Sequence, residues 1–307
     1  MIPNYNGTIT KYKNKSILIN CLNSIKKTTS RNIKIILIDD GSTDESVKQA
    51  AKYTNDIVQM PANTGNVSKV FNAGIIYAYK KYKPKYFILL NNDIIFINNW
   101  WLKDLLSVSE TKSEIGIVGC KLIYPNGKIQ HAGLIIGPTT YNRGRAEQHS
   151  NKYDLIEETD GVTFALALIK SKVIKKVGLF DQNFKMGYED ADYCCRAKKN
   201  GFKIIYDGKV KAIHLEGYTS DASSSKNQPN GSFYGSQFNS AYFAFKNFKG
   251  YDLLKSLLFI LAASFITIED KNRERKLLNI RIKSNFHKNF LDSISAIFNS
   301  MKKFDNT

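Results

Sequence analysis

The chain has 307 residues, of which 43% are hydrophobic and 23% are charged. A chain of this length and composition can bury a substantial core without disulfide or metal staples, which excludes a protein that is disordered throughout. Its 45 lysines and arginines outnumber its 27 aspartates and glutamates, giving a formal net charge of +18. This charge predicts anionic partners, and nucleic acid, acidic lipid and sugar diphosphates all satisfy it.

The cysteines show no spacing typical of a metal site. They are Cys21, Cys120, Cys194 and Cys195. The last two are neighbours that do not readily pair with each other, and no apolar signal segment opens the sequence. We therefore expect free thiols and a cytoplasmic location.

Apolar runs alternate with helical patterns up to residue 120, as in a parallel sheet built from βαβ units. The sequence predicts strands at 33–38, 86–90 and 115–119 and helices at 45–53 and 67–79. Further on it predicts strands at 134–136, 162–169 and 203–206 and a helix at 189–199. A Ser, Asn, Pro and Gly-rich stretch after Asp221 marks a loop or boundary, and the chain is helical in pattern from residue 233 onward.

Three polar segments directly follow apolar strands, at residues 3–7, 39–44 and 91–93. Ligands of open α/β sheets bind outside the carboxyl ends of the strands, so we expect these segments to converge on one crevice. The opening strand has only two residues before Pro3.

Each segment has a functional and a structural interpretation. Asp39 and Asp40 can accept a hydrogen bond from the N–H of a nucleobase, or they can belong to a helix-capping loop. Asp93, in the Asn91-Asn92-Asp93 trio, can bind a divalent cation together with phosphate oxygens, or the trio can be a turn.

Three carboxylates open the helix predicted at 189–199, where the positive end of the helix favours their ionised form. We assign Asp190 as a general base, although it can also simply complement the helix dipole. Asp192 stands four residues before Arg196 and suits a structural ion pair. Glu189 is a supporting residue, and the isolated His131 and His214 are typical of structural histidines.

Ten short segments resemble, in the same order, the sequence blocks of family 2 glycosyltransferases, notably bacterial rhamnosyl- and galactofuranosyltransferase-like members. They are PNYNG, IDDGSTDES, NTGNVSKVFNAGI, LLNNDI, IQHAG, DGVTFALALI, VGLFDQNF, GYEDADYCCR, GFKIIYDG and HLEG, between residues 2 and 217. The resemblance implies an α/β fold of the GT-A type, with a Rossmann-like, mostly parallel central sheet flanked by helices. It implies a catalytic domain at 1–225, followed by a helical, basic and amphipathic region at 226–307.

The resemblance also implies roles for individual residues. The nucleotide would be bound by Pro3, Tyr5, Asp39, Asp40, Asn63 and Asn92, with Tyr5 stacking on the base. Asp93 would hold a divalent cation, Mn²⁺ or Mg²⁺, and His214 would complete that site. Asp190 would be the general base, with Glu189 and Asp192 beside it as acceptor-binding or supporting residues. The chain departs from the family in two respects, because its first strand is short and Asn91 replaces the first acid of the Asp-x-Asp pattern.

These roles imply an inverting hexosyl- or deoxyhexosyltransferase of polysaccharide biosynthesis. Its donor would be a UDP- or dTDP-linked sugar, and its acceptor a hydroxyl of a glycan or lipid-linked glycan. Two alternatives stay open. The missing acid and the short first strand are compatible with a catalytically inactive sugar-nucleotide-binding or scaffold protein. The charge alone would fit a nucleic-acid-binding protein, but no nucleic-acid-binding signature appears and we expect no such partner.

The C-terminal region combines apolar and basic patterns. Residues 253–268 are apolar but shorter than a membrane span. A stripe recurs every four residues at Leu278, Ile282, Phe286, Phe290 and Ile294, and it is surrounded by Lys271, Arg273, Arg275, Lys276, Arg281, Lys283 and Lys288. This pattern predicts a basic amphipathic helix on an anionic membrane surface, and hence a peripheral location at the cytoplasmic membrane face. The alternative is that the stripe packs on the catalytic domain.

Overall fold

The structure is a computed structural model, and it describes residues 1–29, 33–216, 233–263, 266–269, 279–282 and 286–305. The chain divides into two compact units. The first comprises Met1–Ile135 and Tyr141–Ser223, and the second comprises Ile136–Thr140 and Ser224–Thr307.

The strands of the described residues are mostly short and lie mainly in the first unit. They are β1 (Ile2–Asn4), β2 (Lys11–Tyr12), β3 (Lys15–Ser16), β4 (Ile36–Asp39), β5 (Asp56–Gln59), β6 (Tyr86–Leu90), β7 (Ile94–Phe96), β8 (Ile115–Ile123), β9 (Ile129–His131), β10 (Leu134–Ile135), β11 (Tyr141–Asn142), β12 (Ile156–Glu158), β13 (Leu166–Lys170), β14 (Lys203–His214), β15 (Ile266–Glu269) and β16 (Asn279–Ile282).

The helices flank the sheet in the first unit and dominate the second. They are α1 (Ile17–Thr28), α2 (Ser46–Ala50), α3 (Val67–Lys81), α4 (Trp101–Glu110), α5 (Ser171–Val177), α6 (Glu189–Lys199), α7 (Phe233–Asn247), α8 (Gly250–Ala262) and α9 (Phe286–Asp305). Side chains cap two of them: Ser16 accepts a hydrogen bond from Ile19 N–H at the start of α1, and Asn66 accepts one from Lys69 N–H at the start of α3.

Two groups of strands form the central sheet. In the first group the order is β1-β4-β5, all parallel, and in the second it is β12-β14-β8-β13-β6. The backbone of Met1 joins them, because its nitrogen donates to Ile88 O and its carbonyl accepts from Leu90 N–H. Strand β13 runs antiparallel to both neighbours, while β8 and β14 are parallel. Every residue of β8 is buried, as expected of a strand covered on both faces.

This topology places the ends of β1, β4 and β6 at one edge, as the sequence predicts. The predicted strands at 162–169 and 203–206 have different bounds. Residues 162–165 precede β13 as a loop, and β14 continues to His214 through an irregularity between Asp207 and Lys211. Asp207 accepts a hydrogen bond from Lys209 N–H there, so the Asp-Gly pair forms a bulge within the strand rather than ending it.

In the second unit the predicted C-terminal helical region is confirmed, with α9 packed on α7. Gln237 Nε2 donates to Ile260 O (2.8 Å) and lies 3.1 Å from Ser293 Oγ, and Ser300 Oγ donates to Phe238 O (2.9 Å). No helix among the described residues is long and apolar enough to cross a membrane.

The prediction of one continuous helix along the stripe from Leu278 to Ile294 is wrong. Strand β16 pairs with β15 in an antiparallel hairpin, and α9 begins only at Phe286. The isoleucines of β16 alternate with polar residues, a period of two that suits a strand better than a helix. Leu278 and the basic Lys271, Arg273, Arg275, Lys276 and Lys283 lie outside the described residues.

Candidate active site

Asp39 ends β4 as a buried carboxylate with both oxygens occupied. Its Oδ1 accepts from Asn4 Nδ2 (3.1 Å) and from the Ser42 hydroxyl (2.5 Å), and its Oδ2 accepts from Ser42 N–H (3.0 Å). These bonds fix the turn after β4 against the end of β1. Any bond to a nucleobase would therefore use the remaining lone pairs of a carboxylate that already organises the loop.

Asn4 links this turn to the segment after β6. Asn92 Nδ2 donates to Asn4 Oδ1 (2.8 Å), and Asn4 in turn donates to Asp39 and to Ser42. Of these four side chains, those of Asn4, Asp39 and Asn92 are buried, and that of Ser42 is not. Sequence reasoning placed Asn4 in the first polar segment but gave it no role, since a lone asparagine after a strand also fits an ordinary turn.

The Asp40 carboxylate connects β4 to the loop at 61–66. It accepts from Thr64 N–H (3.0 Å) and from the Thr64 hydroxyl (3.1 Å). Gly41 has a φ of +74°, and a Cβ on it would lie 2.5 Å from Asn63 N, so only glycine permits this approach. Asn63 is exposed, while Pro3 and Tyr5 are half-buried at the end of β1, so all three can be reached from solvent.

Asp93 and His214 come together although 121 positions separate them in the sequence. His214 pairs with Ile94 across β14 and β7, and His214 Nε2 lies 3.1 Å from Asp93 Oδ1. Both side chains are nearly buried, and His214 Nε2 donates to Asp93 Oδ1 when that nitrogen carries a proton. Burial alone would lower the pKa of His214, but the Asp93 carboxylate raises it above the ordinary histidine value.

Gln130 fixes the orientation of His214. Its Nε2 donates to the Glu216 carboxylate (2.9 Å), so its Oε1 is the atom that faces His214 Nδ1 at 2.7 Å. Nδ1 therefore carries a proton, and Nε2 points toward Asp93. Tyr124 and Arg145 also donate to Glu216. Sequence reasoning missed Gln130 and Glu216, because only the tertiary structure brings β9 to the end of β14.

A divalent cation fits the Asp93 and His214 pair as far as the residues present allow. A carboxylate oxygen and a neutral, oriented imidazole nitrogen are both metal ligands, and a hydrogen bond donated by the other ring nitrogen, such as that from His214 Nδ1 to Gln130, is typical of metal-binding histidines. Among the described residues, no third His, Cys, Asp or Glu completes a cluster. Phosphate oxygens and water would have to supply the remaining positions.

Asp190 and Glu189 occupy the first turn of α6, after Tyr188 in a left-handed conformation (φ +70°). Asp190 Oδ1 accepts from Ala191 N–H at 2.7 Å. Burial raises the pKa of Asp190, although hydrogen bonds from Ala191 and from the Thr163 side chain oppose the rise. Burial and the neighbouring Asp190 charge raise the pKa of Glu189 to about 8.

Asp192 faces the protein interior. It is buried, and its Oδ2 accepts from Arg196 Nε at 2.8 Å, while Arg196 also donates to the carbonyls of Val177 and Leu179. This ion pair fastens α6 to the segment after α5, and Asp192 has little surface to offer a substrate.

The loop at 162–165 connects Asp190 to the segment that carries Asp93. Thr163 contributes a side-chain hydrogen bond to Asp190, and Ala165 O accepts from Asn91 N–H at 2.9 Å. Thr163 is itself held by His131, whose Nε2 accepts from Thr163 N–H at 3.3 Å. Burial lowers the pKa of His131 to about 4, so this histidine is neutral. The loop therefore brings the Asp93 and Asp190 segments to the same end of the sheet.

The central sheet with an antiparallel β13, and the polar segments at its carboxyl edge, define the GT-A fold of glycosyltransferases. Two solved structures with this fold are similar over nearly the whole chain. S. aureus TarS 1–349 in complex with UDP-GlcNAc has a TM-score of 0.56 and 18% identity, covering 97% of this chain and 80% of that one. The mannosyltransferase PcManGT from Pyrobaculum calidifontis, in complex with GDP-Man and Mn²⁺, has a TM-score of 0.51 and 12% identity, covering 99% and 85%.

The family model described as glycosyl transferase family 2 matches residues 1–178, more than half of the sequence, and the chain belongs to this family. It is 23% identical over 222 residues to the O-antigen chain rhamnosyltransferase WbaN of Salmonella anatum, covering 71% of this chain and 66% of WbaN. It is 27% identical over 148 residues to the O-antigen biosynthesis protein RfbC of Myxococcus xanthus, covering 46% and 12%. The chain thus spans less than two thirds of either relative.

Proposed function

We propose that this protein transfers a sugar from a nucleoside-diphosphate sugar to a hydroxyl of a glycan or lipid-linked acceptor, with inversion at the anomeric carbon. The observation that carries the proposal is the loop at 162–165, which ties the Asp190 carboxylate and the Asp93 segment to one edge of the sheet. Together these groups supply the two needs of the reaction, a base for the acceptor and a binding site for the leaving diphosphate.

The nucleotide would lie over the ends of β1 and β4. Tyr5 is accessible enough to stack on the base, and Pro3 and Asn63 flank the same opening. Asp39, Asp40 and Asn92 hold the loops of this opening together through the hydrogen bonds described above. In this proposal their first task is to keep the nucleotide site preformed, which lowers the entropic cost of binding.

Asp190 would accept the proton of the acceptor hydroxyl as that oxygen attacks the anomeric carbon from the face opposite the diphosphate. One bond forms between the acceptor oxygen and the anomeric carbon, and the bond to the diphosphate oxygen breaks with its electron pair, so a single displacement inverts the centre. A carboxylate held by Ala191 and Thr163 is fixed in orientation for this task.

Asp93 and His214 would hold a divalent cation, Mn²⁺ or Mg²⁺. When bound, the cation would offset the negative charge that grows on the leaving diphosphate. Gln130 keeps the imidazole oriented toward this position. The Mn²⁺ named with PcManGT supports the choice of a divalent cation, as the UDP-GlcNAc named with TarS supports a nucleotide-sugar donor.

The acceptor belongs to polysaccharide biosynthesis in this proposal, as the names of WbaN and RfbC suggest. A peripheral position at an anionic, cytoplasmic membrane face would bring the enzyme to a lipid-linked acceptor. The outward side of α9 supports this placement, because Leu291, Phe298 and Met301 are exposed there. Lys302 and Lys303 follow in the last turn of the helix.

The test is the substitution Asp190→Asn, which keeps the size of the side chain and removes its basicity. We expect transfer to fall by about 10²- to 10⁴-fold, the usual contribution of a general base. Binding of UDP or dTDP sugars, measured by calorimetry with Mn²⁺, should change little. The melting temperature of the parent protein, measured with each UDP or dTDP sugar in turn, also identifies the nucleotide, since a ligand that binds the folded protein raises this temperature.

The matched controls are Glu189→Gln and Asp192→Asn. Glu189→Gln should retain most of the transfer activity, whereas Asp192→Asn should lower the melting temperature by breaking the Arg196 pair. Near-parental turnover in Asp190→Asn would show that another group is the base. Donor binding without transfer in the parent protein would instead favour the catalytically inactive alternative, and absence of donor binding would indicate another ligand.

A further inference from the structure

A cavity of about 780 Å³ opens at the edge of the sheet opposite the candidate active site. Tyr86, the first residue of β6, lines it beside its partner Lys170, the last residue of β13. Asn91 follows the other end of β6. At a rise of ~3.3 Å per residue, the five residues of β6 separate the cavity from the Asp93 segment by ~17 Å. The cavity is therefore a site of the first unit that is separate from the candidate active site.

The cavity is strongly basic. Its lysines are Lys83, Lys85, Lys170, Lys172 and Lys175, and Glu110 is the carboxylate among its described lining residues. Glu110 already accepts from the Tyr86 hydroxyl (2.7 Å) and lies 3.2 Å from Lys170 Nζ. The Tyr86 and Lys170 bonds lower the pKa of Glu110, so it is ionised and neutralises one lysine only. A surplus of positive charge remains in a concave site, where the field of like charges is reinforced.

Hydrogen bonds hold the walls of the cavity in place. The Tyr79 hydroxyl donates to Ser171 O (2.8 Å), and Ser171 N–H donates to Lys85 O (2.9 Å). The ammonium group of Lys172 donates to Ser113 O. Three chain segments are thereby fixed around the opening, so a ligand would not need to order them.

Lys83 adds a charge at a conformational cost. It follows the C-cap of α3 with a φ of +46°, in the left-handed region where helices usually place glycine. A side chain there is strained, and such strain is concentrated at functional positions. Lys83 and Lys175 make no ion pair within the described part of the chain, so both ammonium groups are available to a ligand.

We propose that this cavity binds a phosphate ester carrying at least two negative charges. Lysine ammonium groups act as compact point charges toward phosphate oxygens, and several of them converge here on one volume of suitable size. A soluble phosphate compound and the headgroup of an anionic phospholipid share this chemistry. The site is independent of sugar transfer, because it involves none of the residues proposed for that reaction.

The test uses inorganic pyrophosphate as the probe, with EDTA present so that no divalent cation supports binding at Asp93. Calorimetry compares the parent with Lys83→Gly, Lys175→Gln and the control Lys52→Gln, which removes an exposed charge outside the cavity. We expect each cavity variant to bind about tenfold more weakly, the usual effect of losing a hydrogen bond to a charged group. Lys52→Gln should bind like the parent.

Lys83→Gly separates a loss of binding from a loss of folding. Glycine relieves the left-handed strain, so this variant should have a higher melting temperature than the parent and still bind pyrophosphate more weakly. Vesicles of phosphatidylglycerol then separate the two ligand sources. If the occupant is a lipid headgroup, Lys175→Gln binds vesicles more weakly and pyrophosphate competes with them. If it is a soluble ester, only pyrophosphate binding changes. Absence of pyrophosphate binding in the parent, or equal affinities in the parent and both cavity variants, overturns the proposal.

Discussion

Four aspartates near the sheet edge differ in what surrounds their carboxylates. Asp39 and Asp40 each accept several hydrogen bonds from neighbouring loops, so they organise the nucleotide opening from within. Asp93 faces the imidazole of His214 through its buried Oδ1, at 3.1 Å from Nε2. Asp190 shares a helix start with another acid. In the amino-acid sequence these residues are similar acids at strand ends or at a helix start. Their different roles follow from the hydrogen-bond donors that contact each carboxylate in the structure.

The Glu189 and Asp190 pair gives a prediction about pH and stability. The folded-state pKa of Glu189, about 8, is above the ordinary value of 4.5, so its neutral form is favoured in the native protein. Its contribution to stability is present below pH 4.5 and is lost as the pH rises toward 8. Glu189→Gln removes this titration. We expect its melting temperature to match the parent near pH 4.5 and to exceed it by several degrees near pH 8, on the scale of 2–4 °C per kcal/mol.

Thermal unfolding of both proteins over this pH range measures the difference directly. Lys52→Gln serves as a control for the general effect of removing a surface charge. A melting-temperature difference between Glu189→Gln and the parent that does not change with pH would show that Glu189 keeps an ordinary pKa in the folded protein.

Local patterns predicted the elements that depend on nearby residues. The strand at Tyr86–Leu90 and the helix start at Glu189 are confirmed, because an apolar run and a cluster of acids are local signals. The sequence does not predict the full length of β14, since the Asp-Gly pair at its bulge resembles a turn. The pattern of β16 also fits a helix, because Ile282 belongs both to the stripe that recurs every four residues and to an alternation of two with Ile280. No sequence pattern predicts the hydrogen bond between Gln130 and His214, because it joins two strands that are distant in sequence.

At the scale of elements, Asn72 fastens α3 to the segment that leads into α6. Its amide donates to Phe180 O (2.9 Å) and accepts from Phe180 N–H (2.8 Å), and it is buried. Asn72→Ala leaves both backbone groups of Phe180 without partners. We expect a loss of about 2–6 kcal/mol in unfolding free energy, since each of the two unsatisfied groups usually costs about 1–3 kcal/mol.

Denaturant unfolding measures this loss, with Asn126→Ala as the control in an exposed turn. Because the 180–187 segment precedes Asp190, transfer activity should fall in Asn72→Ala even at temperatures where the protein is folded, with less effect on donor binding. A stability change as small as that of the control would mean that the segment is held by its aromatic contacts alone.

At the scale of the whole molecule, the two units offer different surfaces to anionic partners. The first unit carries the lysine-lined cavity, a polar site for phosphate groups. In the second unit, α9 packs on α7 through a face that includes Ser293 and Ser300, while larger apolar residues of α9 face outward. In the proposed function, a membrane interface would cover this outer side of α9.

The outer side of α9 gives the last prediction. Phe298 is 56% exposed and Leu291 is 64% exposed, seven residues apart and therefore on one side of the helix. Phe298→Ser should weaken binding to phosphatidylglycerol vesicles about tenfold, since burial of a large apolar side chain contributes roughly 1.5–3 kcal/mol. Vesicle sedimentation measures the effect, and Leu155→Ser, an equally exposed leucine of the first unit, is the control. High salt should weaken binding of the parent and of Phe298→Ser alike, because the basic residues act separately from the apolar ones. If Phe298→Ser binds vesicles as tightly as the parent while Lys175→Gln does not, contact with the membrane is made through the lysine-lined cavity and not through α9.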